Sequence, residues 1–240
     1  MNLKIEKLTK KYLGKTVLDA IDLDLEEVQV LALIGASGSG KSTLLRLLSG
    51  LETFDSGEIT VNQHKVNASS DEAYRKKIGF VFQDHNLFPH LSVLENILLV
   101  LEKVHGRKRE DVIGDVNALF EQFGLTEHLD KKPHQISGGQ GQRASIVRAL
   151  SIKPDLILLD EPTSSLDPIL THEVLNAIKL LVDDKIDFVI VTHEIGFARE
   201  VADYIVFMDE GKIIEHGRPE MLVNPSSEKL KRFLEKVLSF

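Results

Sequence analysis

Gly35-Ala36-Ser37-Gly38-Ser39-Gly40-Lys41-Ser42-Thr43 has the residue types and spacing to hold phosphate. It reads G-x-x-x-x-G-K-S. An apolar run suited to a buried strand, Val30 to Ile34, precedes it, and Thr43-Leu44-Leu45-Arg46-Leu47-Leu48, suited to a helix, follows, with Gly50 placed as a C-cap. Strand, glycine loop and helix is the context in which this pattern binds phosphate. The glycines let the backbone curl until successive N–H groups point at a β-phosphate, and the helix N-terminus adds its positive end. Lys41 is placed to bridge the β- and γ-phosphates, and Ser42 to put its hydroxyl on Mg²⁺. The chemistry implied is the binding of a nucleoside triphosphate.

A second group of residues could act on such a ligand. Leu156-Ile157-Leu158-Leu159-Asp160-Glu161 sets two carboxylates at the C-terminal end of a buried strand, the edge where α/β sheets bind ligands. Asp160 would hold Mg²⁺ through water, and Glu161 would polarise the water that attacks the γ-phosphate. Ser137-Gly138-Gly139-Gln140 opens a helix running through Ala144, Ile146, Val147 and Leu150, and it reads in two ways. It is an N-cap with two permissive glycines, or it is a second resting place for phosphate. The Gly35 loop already claims the inner side of the γ-phosphate, so the second reading implies a ligand clasped from two surfaces.

The elements that must position these groups alternate between strand and helix. Leu3, Ile5 and Leu8 begin one strand, while Ile21, Leu23 and Leu25 alternate with Asp22, Asp24 and Glu26 in the period of an antiparallel strand with one wet face. Tyr12 lies between them in a polar turn region with Gly14. Glu58 to Val61 and Ile78 to Phe82 supply further short strands, the second ending at Gln83. From about His85 to Leu150 the character is helical, with a capping box at Ser92 to Glu95 and an amphipathic stretch carrying Val112, Val116, Leu119, Phe120 and Phe123. Strands return at Leu156 to Leu159, Phe188 to Val191 and Tyr204 to Met208, a turn at Glu210-Gly211 follows, and the tail from Ser226 to Leu238 reads as one amphipathic helix. The expected fold is therefore α/β, with a helical layer inserted as a subdomain.

Bulk properties narrow the partners. At 240 residues the chain can bury a sizeable core, and its mean hydropathy of −0.05 is that of an ordinary soluble protein. The net charge of −8 argues against nucleic acid as a ligand. With no cysteine, disulfides and thiolate metal sites are excluded, which suits a reducing compartment. The N-terminus is no signal peptide, and the longest apolar runs, such as Ile97 to Leu101, fall far short of the roughly 20 residues that span a bilayer. Any work at a membrane would go through partners.

Taken in order, Tyr12, the loop 35–43, Gln83, ISGGQGQR at 136–143, LILLDE at 156–161, Ser165-Leu166-Asp167 and His193 resemble the ATPase subunit of ATP-binding-cassette transporters. The resemblance covers essentially the whole chain. It implies a P-loop NTPase core with a mainly parallel sheet, an antiparallel β-subdomain and an inserted all-helical subdomain at about 85–150, the core being 1–84 and 151–240 of a single cassette. It implies ATP and Mg²⁺ as ligands and a head-to-tail dimer, each ATP lying between the phosphate loop of one copy and the signature segment, Ser137 to Gln140, of the other. Tyr12 resembles the aromatic that stacks on adenine. Gln83 matches the glutamine that touches Mg²⁺, and His193 the histidine that contacts the γ-phosphate. Asp167 matches an acid at the dimer seam, and Asp167-Pro168 is also a good N-cap with proline at N1.

Two departures from the family pattern are mild: Ile136 stands where leucine is commoner, and Glu26-Glu27-Val28-Gln29 where a glycine commonly precedes the strand. The stretches at 82–90, 93–97 and 192–203 look like the ATPases of polar-amino-acid importers, the glutamine and arginine group. That implies two membrane-spanning permease subunits, an extracytoplasmic solute-binding protein, and a place at the cytoplasmic face of the inner membrane. A cassette serving lipoprotein release or cell division, or a soluble non-transport cassette, stays open as an alternative.

Overall fold

The computed structural model describes residues 1–66 and 71–238. In chain order the elements are β1 (Leu3–Tyr12), β2 (Lys15–Leu25), β3 (Val30–Gly35), α1 (Lys41–Leu48), β4 (Ser56–Val61), β5 (His64–Lys65), α2 (Glu72–Arg75) and β6 (Ile78–Val81). There follow α3 (Val93–Lys103), α4 (Arg109–Gln122), α5 (Gly138–Ser151), β7 (Leu156–Asp160), α6 (Pro168–Asp183), β8 (Phe188–Val191), α7 (Ile195–Val201), β9 (Tyr204–Asp209), β10 (Lys212–Gly217) and α8 (Glu228–Leu238). The chain divides into two units, Met1–Arg75 with Lys185–Phe240, and Lys76–Asp184.

In the first unit every residue of β3 is buried. Such a run has no wet face to alternate with, which suits a strand covered on both sides. It pairs in parallel with β8 and with β9, and β10 closes the edge antiparallel to β9. A separate antiparallel sheet runs β2-β1-β4-β5. The apolar spacing in β1 is two, then three, and a bulge explains it. Lys7 has a left-handed φ of 45, the pairing shifts register between Ile5 and Leu8, and Leu8 therefore turns inward with Leu3 and Ile5. Tyr12, read from sequence as lying in a turn, is the last residue of β1 and pairs with Lys15 across the two-residue loop Leu13-Gly14.

In the second unit β6 and β7 pair in parallel, from Ile78 beside Leu156 to Val81 beside Leu159. Helix α5 touches α3, α4, α6 and β6. It is enclosed on most sides, and its buried positions include the small residues Gly139, Gly141, Ala144, Ser145, Ala149 and Ser151. Helical character was expected from His85. The first helix starts only at Val93, and residues 82–92 form no regular element. The capping box is as expected: Ser92 Oγ accepts from Glu95 N at 3.1 Å, and Glu95 Oε2 accepts from Ser92 N at 2.8 Å. Among the described residues no helix is long and apolar enough to cross a membrane.

Candidate functional site

The phosphate-binding candidates of the first unit sit in the loop between β3 and α1. Gly35 and Gly40 have φ of 147 and 100, and each is pressed against a strand. A Cβ on Gly35 would lie 2.1 Å from the Met208 carbonyl oxygen, and one on Gly40 2.6 Å from Leu18 Cδ2 and 3.0 Å from the Val17 carbonyl. Only glycine fits either place. Ser39 N donates to the Ala36 carbonyl at 3.2 Å and Gly211 N to the Ser39 carbonyl at 3.2 Å, which fixes the curl. The Ser39 hydroxyl is buried and has no hydrogen-bond partner among the described residues. Ala36, Ser37 and Gly38 are exposed, forming the open lip of the loop.

Lys41 is the first residue of α1 and is 3 % exposed. Its Nζ donates to the Gly35 carbonyl at 3.0 Å and to the Ala36 carbonyl at 2.9 Å. No side chain caps α1 at its N-terminus, where Gly40 is the N-cap, so the first-turn N–H groups and the dipole are offered to an anion. Ser42 and Thr43 are half-buried in that turn. The far end closes as the sequence suggests: Gly50 N donates to Leu47 O and Leu51 N to Arg46 O, both at 3.1 Å, a Schellman stop.

His193 belongs to the same edge. Thr192 N donates to the Leu33 carbonyl at 3.3 Å, which carries the β3–β8 pairing one residue further and delivers half-buried His193 beside the loop. Tyr12 is tied to the same helix. Its hydroxyl bonds the Glu52 carboxylate, Glu52 pairs with Arg46 at 3.7 Å, and the Thr43 hydroxyl also reaches the phenol. Partial burial first, and the bond to Glu52 next, push the Tyr12 hydroxyl above its ordinary pKa, so it stays neutral. One face of the ring carries the Lys10 ammonium, 4.7 Å from the centroid.

The second unit holds the carboxylates. Asp160 ends β7 and is 3 % exposed, and half-buried Glu161 follows with a left-handed φ of 45. A non-glycine residue so placed stores strain, which persists where surroundings over-determine it and clusters at working sites. Here Ser164 clamps the turn, donating to the Glu161 carbonyl through its N–H at 3.2 Å and its hydroxyl at 3.1 Å. Gln83 is exposed in a bend, and the register that sets Val81 beside Leu159 brings it to the same strand edge as Glu161.

Ser137 to Gln140 form a second helix start. Ser137 Oγ accepts from Gln140 N at 3.2 Å and Gln140 Oε1 from Ser137 N at 2.9 Å, so the capping reading of these residues is realised. Gly138 is exposed and Gly139 buried, its absent Cβ 3.3 Å from Leu170 Cβ. Asp167 caps α6, accepting from Ile169 N at 2.9 Å and Leu170 N at 3.0 Å, with Pro168 at the first helical position.

Sequence reasoning missed the groups that hold residues 82–92. Asn96 is fully buried; its Oδ1 accepts from Phe88 N at 2.7 Å and its Nδ2 donates to Ser92 O at 2.9 Å and Phe88 O at 3.2 Å. Buried Gln142 donates to the Phe82 carbonyl at 3.0 Å, and Arg148 donates to the carbonyls of Asn86 at 2.8 Å and His85 at 3.1 Å. Thus fixed, the segment leaves Phe88, Pro89 and His90 exposed. A polar residue inside an apolar helical run, as at Asn96, was the available signal.

Each unit carries donors of the kind the implied ligands take. In the first, Ser42 offers a hydroxyl; in the second, Gln83 offers an amide oxygen and Asp160 a carboxylate, and all three are hard oxygen donors of the type that suits Mg²⁺. The loop's glycine contacts and uncapped helix start suit phosphate.

Comparison with known proteins agrees with the binding of ATP. A family model described as "ABC transporter" matches residues 18–164. The L-cystine transport system ATP-binding protein of Escherichia coli (strain K12) is 44% identical, over 98% of this chain and 98% of its own. The glutamine transport ATP-binding protein of the same organism is 45% identical, over 96% and 98%. Among solved structures, the dimeric post-hydrolysis state of an ATP-binding cassette bound to ADP and Pi superposes with a TM-score of 0.80 at 33% identity, covering 90% of this chain and 98% of that one.

Proposed function

The chain belongs to the ABC transporter family, and from that we propose that it is the ATP-hydrolysing subunit of a bacterial importer for polar amino acids. The observation that carries the reading is similarity over at least 96% of the chain to two amino-acid transport ATP-binding proteins, and a loop whose Gly35 and Gly40 leave no room for a side chain supports it. Relatives of nearly equal identity carry different solutes, cystine and glutamine, so polar amino acid is the class to test.

In this reading residues 1–240 work as one cassette, with the helical layer of 85–150 inserted between 1–84 and 151–240. ATP rests on the loop 35–43, with Lys41 on the β- and γ-phosphates and Tyr12 against adenine. Mg²⁺, held by Ser42, Gln83 and Asp160, would neutralise phosphate charge. Glu161 orients the attacking water and His193 donates toward the γ-phosphate. Ser137 to Gln140 of a second copy close the ATP, and Asp167 lies at that seam. Two membrane-spanning permease subunits and an extracytoplasmic solute-binding protein complete the assembly, which holds the chain at the cytoplasmic face of the inner membrane. The acidic balance leaves nucleic acid out.

Uptake tests the transport reading. In a host deleted for this chain, uptake of radiolabelled glutamine, arginine or cystine should fall, and the wild-type gene but not Glu161→Gln should restore it. Unchanged uptake of all three would overturn amino-acid import. The shared site is tested by mixing Lys41→Ala with Gly138→Asp, each expected to be inactive alone. A Cβ on Gly138 meets only the end of Leu166, at 2.9 Å, so the second variant should fold. A mixed dimer has one intact site and should recover up to about half the activity if the two sites are independent. Verified heterodimers that recover neither activity nor ATP-dependent association would contradict the head-to-tail arrangement.

A further inference from the structure

Helix α5 contains a glycine where a helix interior gains from alanine and from every other residue but proline. Gly141 is buried in its first turns, and glycine there costs stability relative to alanine. The reason for it lies on the neighbouring segment. A Cβ at position 141 would lie 2.7 Å from His85 Cδ2 and 3.3 Å from both Cγ and Nε2, so the imidazole rests on the bare helix backbone. Its Nδ1 accepts from Leu87 N at 3.3 Å, which turns the ring toward the helix rather than outward.

Two other residues of α5 hold the same segment. Gln142 takes the Phe82 carbonyl, and Arg148 the carbonyls of His85 and Asn86. Positions 141 and 148 share a helix face, being two turns apart. The hydrogen bonds hold the backbone of the segment at Phe82, His85 and Asn86, and the ring in its seat holds it through a side chain. Gln83 lies inside this stretch, and Ser137 to Gln140 lie immediately before Gly141.

We propose that His85 is a positioning residue whose ring, seated on Gly141, pins residues 82–88 to α5, so that Gln83 and the Ser137–Gln140 helix start keep one fixed geometry during ATP hydrolysis. The kinetic consequence rests on the ATPase reading given above; the pin itself does not.

Full-length wild type, His85→Ala, Gly141→Ala, the double variant and His85→Phe test it. Alanine is the better helix former, so without a seat Gly141→Ala should raise Tm in any background. With the seat it should lower Tm when His85 is present and raise it by about 2–4 °C when residue 85 is alanine. A rise in both backgrounds overturns the pin. In ATPase assays both single alanine variants should lose about tenfold or more in kcat with ATP affinity within about twofold of wild type, whereas His85→Phe, a flat ring of similar size, should keep turnover. Wild-type kcat in His85→Ala overturns the positioning role. The chain has no cysteine, so a nitroxide can be placed at exposed His90 through His90→Cys. Its electron paramagnetic resonance spectrum should gain a mobile component in His85→Ala and Gly141→Ala, and an unchanged spectrum counts against the pin. A wild-type chain without ATPase activity would sink the functional reading alone, since Tm and label mobility still decide the pin.

Discussion

Lys41 Nζ donates to the carbonyl oxygen of Ala36 at 2.9 Å, within the loop that its own helix closes. The ammonium is thus pre-placed under the curl, on carbonyls that a phosphate's negative oxygens can replace as partners. Charge-assisted bonds are worth about 1.5–3 kcal/mol each. Lys41→Ala should therefore weaken Mg-ATP binding by at least about 100-fold in calorimetry. Affinity like that of the wild type would refute the phosphate-loop assignment.

Glu161 poses a separate question, because its side chain and its backbone make opposite demands. Glu161→Gln keeps shape and should keep nucleotide affinity, while turnover falls by about 100-fold or more and an ATP-bound dimer accumulates on size exclusion. Glu161→Gly removes the carboxylate and relieves a left-handed φ that costs about 1–2 kcal/mol. It should unfold no lower than wild type by calorimetry and be equally inactive. A fully active Glu161→Gln protein would move the base elsewhere, to His193 first.

For Tyr12 the ring and the hydroxyl can be separated. Base–aromatic stacking is worth about 1–3 kcal/mol, so Tyr12→Ala should weaken binding of a fluorescent ATP analogue by about tenfold, and Tyr12→Phe should change it little. Equal loss in both would assign the effect to the hydroxyl and its bond to Glu52 rather than to stacking.

Asn96 makes a prediction on stability and on partners together. Asn96→Ala leaves the Phe88 N–H without its buried acceptor and takes one of two donors from each of the Phe88 and Ser92 carbonyls, at a cost of about 2–4 kcal/mol. Tm should drop by about 4–16 °C. A photocrosslinker replacing exposed Phe88 should label the membrane-spanning subunits, and Asn96→Ala should lower the yield, because the loop no longer presents that side chain. Labelling only from α8 would place the docking surface elsewhere.

Much of this protein is written locally. The glycine loop, the buried run before it, the Schellman stop at Gly50, the capping boxes at Ser92 and Ser137 and the Asp167 cap depend on neighbours within a few residues, so spacing alone determines them. What the tertiary structure decided involves partners far apart in sequence. The bulge at Lys7 resets the register of β1 because both flanking strands must bury one face. Tyr12 becomes a strand end rather than a turn because Lys15 pairs with it and Glu52 holds its hydroxyl. The segment 82–92 carries helical-looking residues yet stays irregular, because Asn96, Gln142 and Arg148 satisfy its backbone in place of a helix's own ladder. Gly141, a helix-weakening residue by local rules, is explained only by the imidazole of His85 lying against it.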